Sequence, residues 1–227
     1  RSTPYPTLFP YTTLFRSGEP GVFWSLPVVA ETYDGWLNDI NGFHVKPDHA
    51  FQALDTATSG PVAEGGVGGG TGMMCHDFKG GIGTASRQLS EEAGAYTIGV
   101  LVQANYGVRD TLMIAGVPVG KEIADLMPSE GAPQEDTGSI IVVVATDAPL
   151  LPHQLKRIAR RVPLGLGRVG SYAGNGSGDI FIAFSTANPG VALRVGEKQA
   201  GFLPNDSLSP LFLATVQATE EAIVNAL

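Results

Sequence analysis

The run Ser139–Thr146 reads SIIVVVAT, with no polar residue between its two ends. A continuous branched apolar run of this length suits a β-strand buried on both faces. Such a strand needs a covering layer on each side, so the chain must build layers around it. Thr97–Ala104 (TIGVLVQA), Thr111–Val119 and Asp179–Ala187 (DIFIAFSTA) have the same branched and apolar content and are further strand candidates. Between and after them lie helical patterns. Pro152–Val162 carries Leu155, Ile158, Ala159 and Val162 on one stripe. A helix begins at Ser209-Pro210 and continues through Leu227, with Ser209 as cap and Pro210 in the first turn. A shorter helix opens at Pro47-Asp48, with Asp48 as cap, and stops at Ser59-Gly60. Strands alternating with helices predict a layered α/β domain.

The 30 glycines cluster, most densely in Gly65–Gly83, which reads as tight loops between strands. Residues 133–138 (PQEDTG) form a polar, turn-rich loop immediately before Ser139. Residues 1–17 contain the near-copies PYPTLFP and PYTTLFR without helix or strand periodicity. This segment is set aside as a non-native leader. At the other end the helical pattern runs to Leu227 with no stop signal, so the expected chain is truncated at both ends.

The balance of charge is acidic, with net charge −8 and pI about 4.9. That disfavours nucleic acid as a partner, since phosphate binding needs a basic field. Lys156, Arg157, Arg160 and Arg161, opposite the apolar stripe of 152–162, therefore read as a solvated helix face. No apolar run reaches the length of a membrane span. Cys75 is the one cysteine, which excludes an internal disulfide and leaves the compartment open between cytoplasm and periplasm.

Several motifs carry no chemistry. Gly165–Gly170 (GLGRVG) matches a dinucleotide pattern but follows a helix, the reverse of the strand-then-helix context required. His44, His49, His76 and His153 lack zinc-type spacing. No G-x-S-x-G elbow and no S-x-x-K pair occurs.

Gly138-Ser139 is different. A serine at a strand start is ordinarily just that, but here a coherent chemistry is available. The polar loop exposes the bond before Ser139, and Gly138 has no side chain to block attack on its own carbonyl. The hydroxyl can attack that carbonyl, and water can hydrolyse the resulting ester. The product bears a new α-amine on Ser139, with a reference pKa of about 7.7–8.0. One residue then supplies both nucleophile and general base.

TGSIIVVVATDAPLLPHQLKRIARRV and GSYAGNGSGDIFIAFSTAN closely resemble the L-aminopeptidase/D-esterase family, which includes β-peptidyl aminopeptidases. PVVAETYDG, GTGMMC, FKGGIGTASR and GVLVQANYG resemble it too, so the likeness runs from about Gly21 to Leu227. The resemblance implies an αββα sandwich of the aminopeptidase/ornithine acetyltransferase type. It implies a precursor cut between Gly138 and Ser139, with residues 18–138 the C-terminal part of an α chain and 139–227 an incomplete β chain. The αβ units would assemble into homo-oligomers. Small peptides, amides or esters with a free amine would be the substrates, without metal or organic cofactor. Residue by residue, Ser177 and Asp179 match the serine and acid of the loop beside the nucleophile. Asn105 matches an oxyanion donor, Tyr33 a wall of the site, and Glu31 the anchor for the substrate's ammonium. Gly69 stands where relatives often carry a small residue such as alanine. The alternatives are an ornithine acetyltransferase-like acyltransferase, against which Ser139 speaks because that type uses threonine, and an uncut, inactive fragment.

Overall fold

The computed structural model describes residues 28–128, 138–191 and 196–227. The expected leader 1–17, the opening of the 22–33 segment and residues 133–137 of the polar loop lie outside the described residues.

The strand read at Ser139–Thr146 is β5, with those same bounds. It lies inside a four-stranded sheet of order β3 (Gly81–Gln88), β4 (Thr97–Asn105), β5, β6 (Ile180–Ser185). The β3–β4 and β4–β5 pairs are antiparallel, whereas β5–β6 is parallel. Ile140, Val142 and Val144 turn to one face and Ile141 and Val143 to the other, and none is more than 7% exposed. The branched run is thus explained by burial on both faces, as its composition requires. A two-stranded hairpin, β1 (Met74–Cys75) with β2 (Phe78–Lys79), leads into β3.

In chain order the helices are α1 (Pro47–Asp55), α2 (Val119–Glu122), α3 (Pro152–Ala159), α4 (Val162–Arg168) and α5 (Ser209–Asn225). α3, α4 and α5 form the layer over the first face, whereas α1 buries no residue. α5 lies over β3 and β4 and against α4. It buries Leu211, Ala214, Ala218, Ala222 and Ile223 against Ile98, Val100, Val102 and Ala104 of β4. Alanines at every fourth position let the helix come close. At the closest point a Cβ on Gly83 would run into the carbonyl oxygen of Ala222 and sit 2.7 Å from the amide of Ala226. Thr215 and Thr219, buried in the same interface, satisfy their hydroxyls on the carbonyls four residues back, each at 2.8 Å.

The second face carries Ala30, Ile141 and Val143, all buried. Around them Ile82, Leu101, Ile180, Ile182 and Phe184 are half-buried. The free edge of β3 is partly blocked by the chain itself, since Gly65 exchanges both backbone hydrogen bonds with Ile82. Beyond it, the Glu64 carboxylate accepts from the Thr84 amide at 2.7 Å.

The fold corrects several expectations. Thr111–Val119 is not a strand. Ile114 and Val117 pair with each other across Ala115 and Gly116, which have φ of 51° and 83°. The Ala-Gly pair folds the segment into a tight turn, because successive positive φ values reverse the chain. The helix read at 152–162 ends at Ala159, and a second starts at Val162, with Pro163 in its first turn as proline favours. GLGRVG is the end of α4 and its exit, where Gly165 lets α4 approach Thr219 of α5 and Gly170, with φ of 103°, ends the turn. Asp48 lies within the first turn of α1, and Lys46 occupies the cap position. Leu208, not Ser209, occupies that position on α5. The glycine-rich stretch hides β1, β2 and the start of β3. The basic residues of 152–162 are not merely solvated, since the guanidinium groups of Arg157 on α3 and Arg161 just before α4 lie 5.1 and 3.8 Å from the centroid of the Phe212 ring.

Gly83→Ala adds one methyl group where helix and strand backbones touch. It should destabilise the protein by about 1–3 kcal/mol, the usual cost of overpacking, measured by chemical denaturation. An unchanged midpoint would mean that α5 can lift from the sheet without loss.

Candidate active site

Strand direction brings the candidate residues to one end of the sheet. β4 ends at Asn105, β5 begins at Ser139, and β6 begins just after Asp179. Because β4 runs against β5 while β6 runs with it, these three points converge. Asn105 and Ser139 are direct cross-strand partners. Cross-strand neighbours of this kind sit with their β-carbons about 4.5–5.5 Å apart on one face.

Asn105 is held at both ends of its amide. Its Oδ1 accepts from the Met74 backbone amide at 2.9 Å, and its Nδ2 donates to the Tyr33 carbonyl at 2.8 Å. The side chain is therefore fixed in orientation, with one N–H of the amide group beyond that bond. The same bond fastens the 31–33 segment across the sheet. Next to it the Gln103 Nε2 donates to the Thr32 hydroxyl at 2.7 Å, and that hydroxyl faces the Met73 sulfur at 2.8 Å. Ala30 packs on Ile141 and Val143. Glu31 and Tyr33 are thus carried on a segment pinned at Ala30, Thr32 and the Tyr33 carbonyl. The Tyr33 side chain is largely exposed, whereas one carboxylate oxygen of Glu31 is buried without a hydrogen-bond partner.

The loop before β6 closes the other side. The Ser177 hydroxyl donates to Asp179 Oδ1 at 2.6 Å. The same oxygen accepts from the Ile140 amide at 3.2 Å. The Gly178 amide donates to the Gly138 carbonyl at 3.4 Å. A Cβ on Gly178 would lie 2.7 Å from the Ser139 hydroxyl oxygen. Loop 177–179 therefore continues the β5–β6 ladder past the Gly138–Ser139 bond. Ser139, Asn105, Ser177, Asp179, Gly138 and the Tyr33 backbone are brought together by these contacts.

The chain matches one known family over nearly all of its length, namely Peptidase family S58 across residues 14–227. The protein belongs to peptidase family S58. The match begins inside residues 1–17, the segment that reads as a non-native leader. A β-peptidyl aminopeptidase, BapA, of Sphingosinicella microcystinivorans is 57% identical over 220 residues, which cover 92% of this chain and 55% of that protein. Among solved structures, a Burkholderia sp. β-aminopeptidase is 54% identical with a TM-score of 0.81, covering 90% of this chain and 57% of the other. The L-aminopeptidase D-Ala-esterase/amidase of Ochrobactrum anthropi is 50% identical, also with a TM-score of 0.81, over 95% and 58% of the two chains. It is described as a prototype for the serine aminopeptidases and a variant of the Ntn hydrolase fold. The S58 chain here spans about half the length of the curated relatives it matches.

Three side chains that support the candidate site carry no signal in the sequence reading above. Gln103 was the residue two before Asn105 on the same face, and strand alternation alone could have named it. The Lys79 ammonium turns inward to the carbonyls of Gly70, Met73 and Gly80, at 2.8, 3.2 and 2.5 Å, and clamps the glycine-rich loop behind Met74. Desolvation pushes its pKa below the ordinary lysine value. Arg109 is 2% exposed and joins the hairpin to the segment that leads towards Gly138. Its guanidinium donates to the carbonyls of His76, Asp77, Ile123 and Leu126 and lies 3.5 Å above the Phe78 ring. Burial lowers its pKa, with Asp77 and Asp125 opposing. No sequence motif marks such a residue, because its partners are main-chain carbonyls. Among the described residues no group of three or more His, Cys, Asp or Glu is placed to hold a metal ion.

Arg109→Leu keeps an apolar stem on Phe78 but orphans those carbonyls. It should cost about 3 kcal/mol, the upper range for hydrogen bonds made by a charged group, measured by chemical denaturation of the complete protein. A loss below a few tenths would mean that the carbonyls find other donors.

Proposed function

We propose that the complete protein is a self-cleaving serine aminopeptidase with Ser139 as its N-terminal nucleophile. The observation that carries this reading is the pairing of Ser139 with an asparagine whose amide is fixed at both ends. Ser139 first attacks the Gly138 carbonyl, and hydrolysis of the ester frees its α-amine. That amine then takes the hydroxyl proton when Ser139 attacks a substrate carbonyl, forming an acyl-enzyme that water resolves. The remaining Asn105 N–H supports the oxyanion. Ser177 and Asp179, already bonded to each other, with Asp179 also accepting from the Ile140 amide, orient the hydroxyl and the amine. Glu31, with one buried carboxylate oxygen lacking a donor, is suited to the substrate's ammonium. Tyr33 forms the exposed wall beside it. Small peptides, amides or esters with a free amine are the proposed substrates, and no metal or organic cofactor enters the chemistry.

The same reading gives the architecture of the complete molecule. The half-buried second face of the sheet, with Ile82, Leu101, Ile180, Ile182 and Phe184, fits the inner side of an αββα sandwich. A second sheet from the rest of the protein would complete its burial. Residues 18–138 and 139–227 then belong to the α and β chains of one precursor, and αβ units associate into homo-oligomers.

Two measurements test this reading on the completed gene. Intact mass should reveal a fragment beginning at Ser139, and Ser139→Ala should leave a single uncut chain. Splitting of the alanine variant at the same bond would assign the cut to another protease and end the proposal. Asn105→Ala should lower kcat about a hundredfold, the usual effect of losing one oxyanion donor. It should also raise KM, because the Tyr33 carbonyl loses its tether. A variant with parental kcat would remove Asn105 from the reaction.

A further inference from the structure

We infer that the backbone amide of Gly178 is the oxyanion donor for cleavage of the Gly138–Ser139 bond. In the mature enzyme it becomes a second donor to the substrate carbonyl. This inference rests on the self-cleavage reading and adds the group that makes the scissile carbonyl reactive. Three neighbouring contacts place it. The Gly178 N–H points at the Gly138 carbonyl oxygen, at 3.4 Å. The Gly178 α-carbon leaves room beside the Ser139 hydroxyl, where a Cβ would lie 2.7 Å from Oγ. Asp179 Oδ1, one residue on, takes the Ile140 amide at 3.2 Å and the Ser177 hydroxyl at 2.6 Å, fastening the loop on both sides of Gly178.

The position of the donor suits the charge that develops. When Ser139 Oγ adds to the Gly138 carbonyl carbon, the carbonyl oxygen gains negative charge and pulls away from planarity. A long ground-state hydrogen bond that shortens as charge builds stabilises the transition state more than the reactant. As the tetrahedral centre collapses, the C–N bond to Ser139 breaks and the Oγ proton ends on the α-nitrogen. The peptide has become an ester with no other reactant consumed. Water then releases the Gly138 carboxylate. Once Gly138 leaves, the Gly178 N–H loses its acceptor and faces the space above Ser139 where a substrate carbonyl would sit. Asn105 approaches from β4 and Gly178 from the β6 side, so the two donors flank the nucleophile from neighbouring strands. Glycine at 178 also explains how the loop reaches so close to Oγ.

The test replaces Gly178 with glycolic acid by segment ligation in the complete chain. The 177–178 amide becomes an ester, which removes one N–H and leaves the shape almost unchanged. Intact mass followed over time gives the rate at which the fragment starting at Ser139 appears. The ester chain should process about a hundredfold more slowly than the parent, matching the loss of one donor. Parental processing in a chain with parental melting temperature would overturn the role of Gly178. A parent that never splits at Gly138–Ser139 would instead sink the self-cleavage reading itself. A second measurement does not depend on the ester folding. Hydrogen exchange over segment 175–179 is compared in the uncut Ser139→Ala chain and the cut parent. The Gly178 amide should be at least tenfold more protected in the uncut chain, since only there does Gly138 accept from it. Equal protection in both would show that the amide is held by another acceptor, and the inference would fall.

Discussion

The β4–β5 ladder is the constraint on which the site depends. Its register pairs Asn105 with Ser139 at one end and Ile98 with Thr146 at the other. A slip of one residue would turn Ser139 to the helical face and Ile140 to the site. The packing of Ile140, Val142 and Val144 in one apolar cluster and of Ile141 and Val143 in another opposes that slip, because the two faces of β5 fit different neighbours. Core packing and the geometry of the candidate site are thus set by the same set of hydrogen bonds.

The parallel pairing of β5 with β6 adds the second half of the site. An antiparallel partner would have sent its start to the far end of the sheet, away from Ser139. The parallel strand brings the residues before Ile180 alongside Gly138 and Ser139. A parallel return needs a crossover, and α3 and α4 supply it. Burial of Leu166 and Ile158 in the helical layer therefore contributes to placing Ser177, Gly178 and Asp179, although neither residue is near them in sequence.

What could be read from the residues alone follows from this division. β5 was legible to its bounds because burial on both faces leaves an unbroken apolar signature. β4 and β6 were legible within one or two residues. Thr111–Val119 was misread because its composition is strand-like while Ala115 and Gly116 reverse it, and composition does not encode φ. β3 was missed because its glycines at 81 and 83 look like loop residues, yet they are required by contacts with Gly65 and with α5. The convergence of Ser139, Asn105 and Asp179 came from a family resemblance. Nothing in their spacing, 34 and 40 residues from Ser139, reveals that one strand ends and two begin at the same place. Lys79 and Arg109 were illegible for another reason. Each spends its charge on main-chain carbonyls, which every sequence possesses.

The four-stranded sheet also divides two and two about Gly138. β3 and β4 lie before that residue, whereas β5, β6 and the covering helix α5 lie after it. A cut there would leave two polypeptides that share one sheet and one core, with α5 of the second lying on β3 and β4 of the first. Folding would then be a unimolecular event before the cut and a bimolecular one after it. The effective concentration that a continuous chain gives its own two halves, on the order of millimolar for a short flexible linker, would be lost for good. Once unfolded, such a molecule would have to find its partner by diffusion. Its lifetime in use would be governed by how slowly the shared sheet opens rather than by how readily it re-forms.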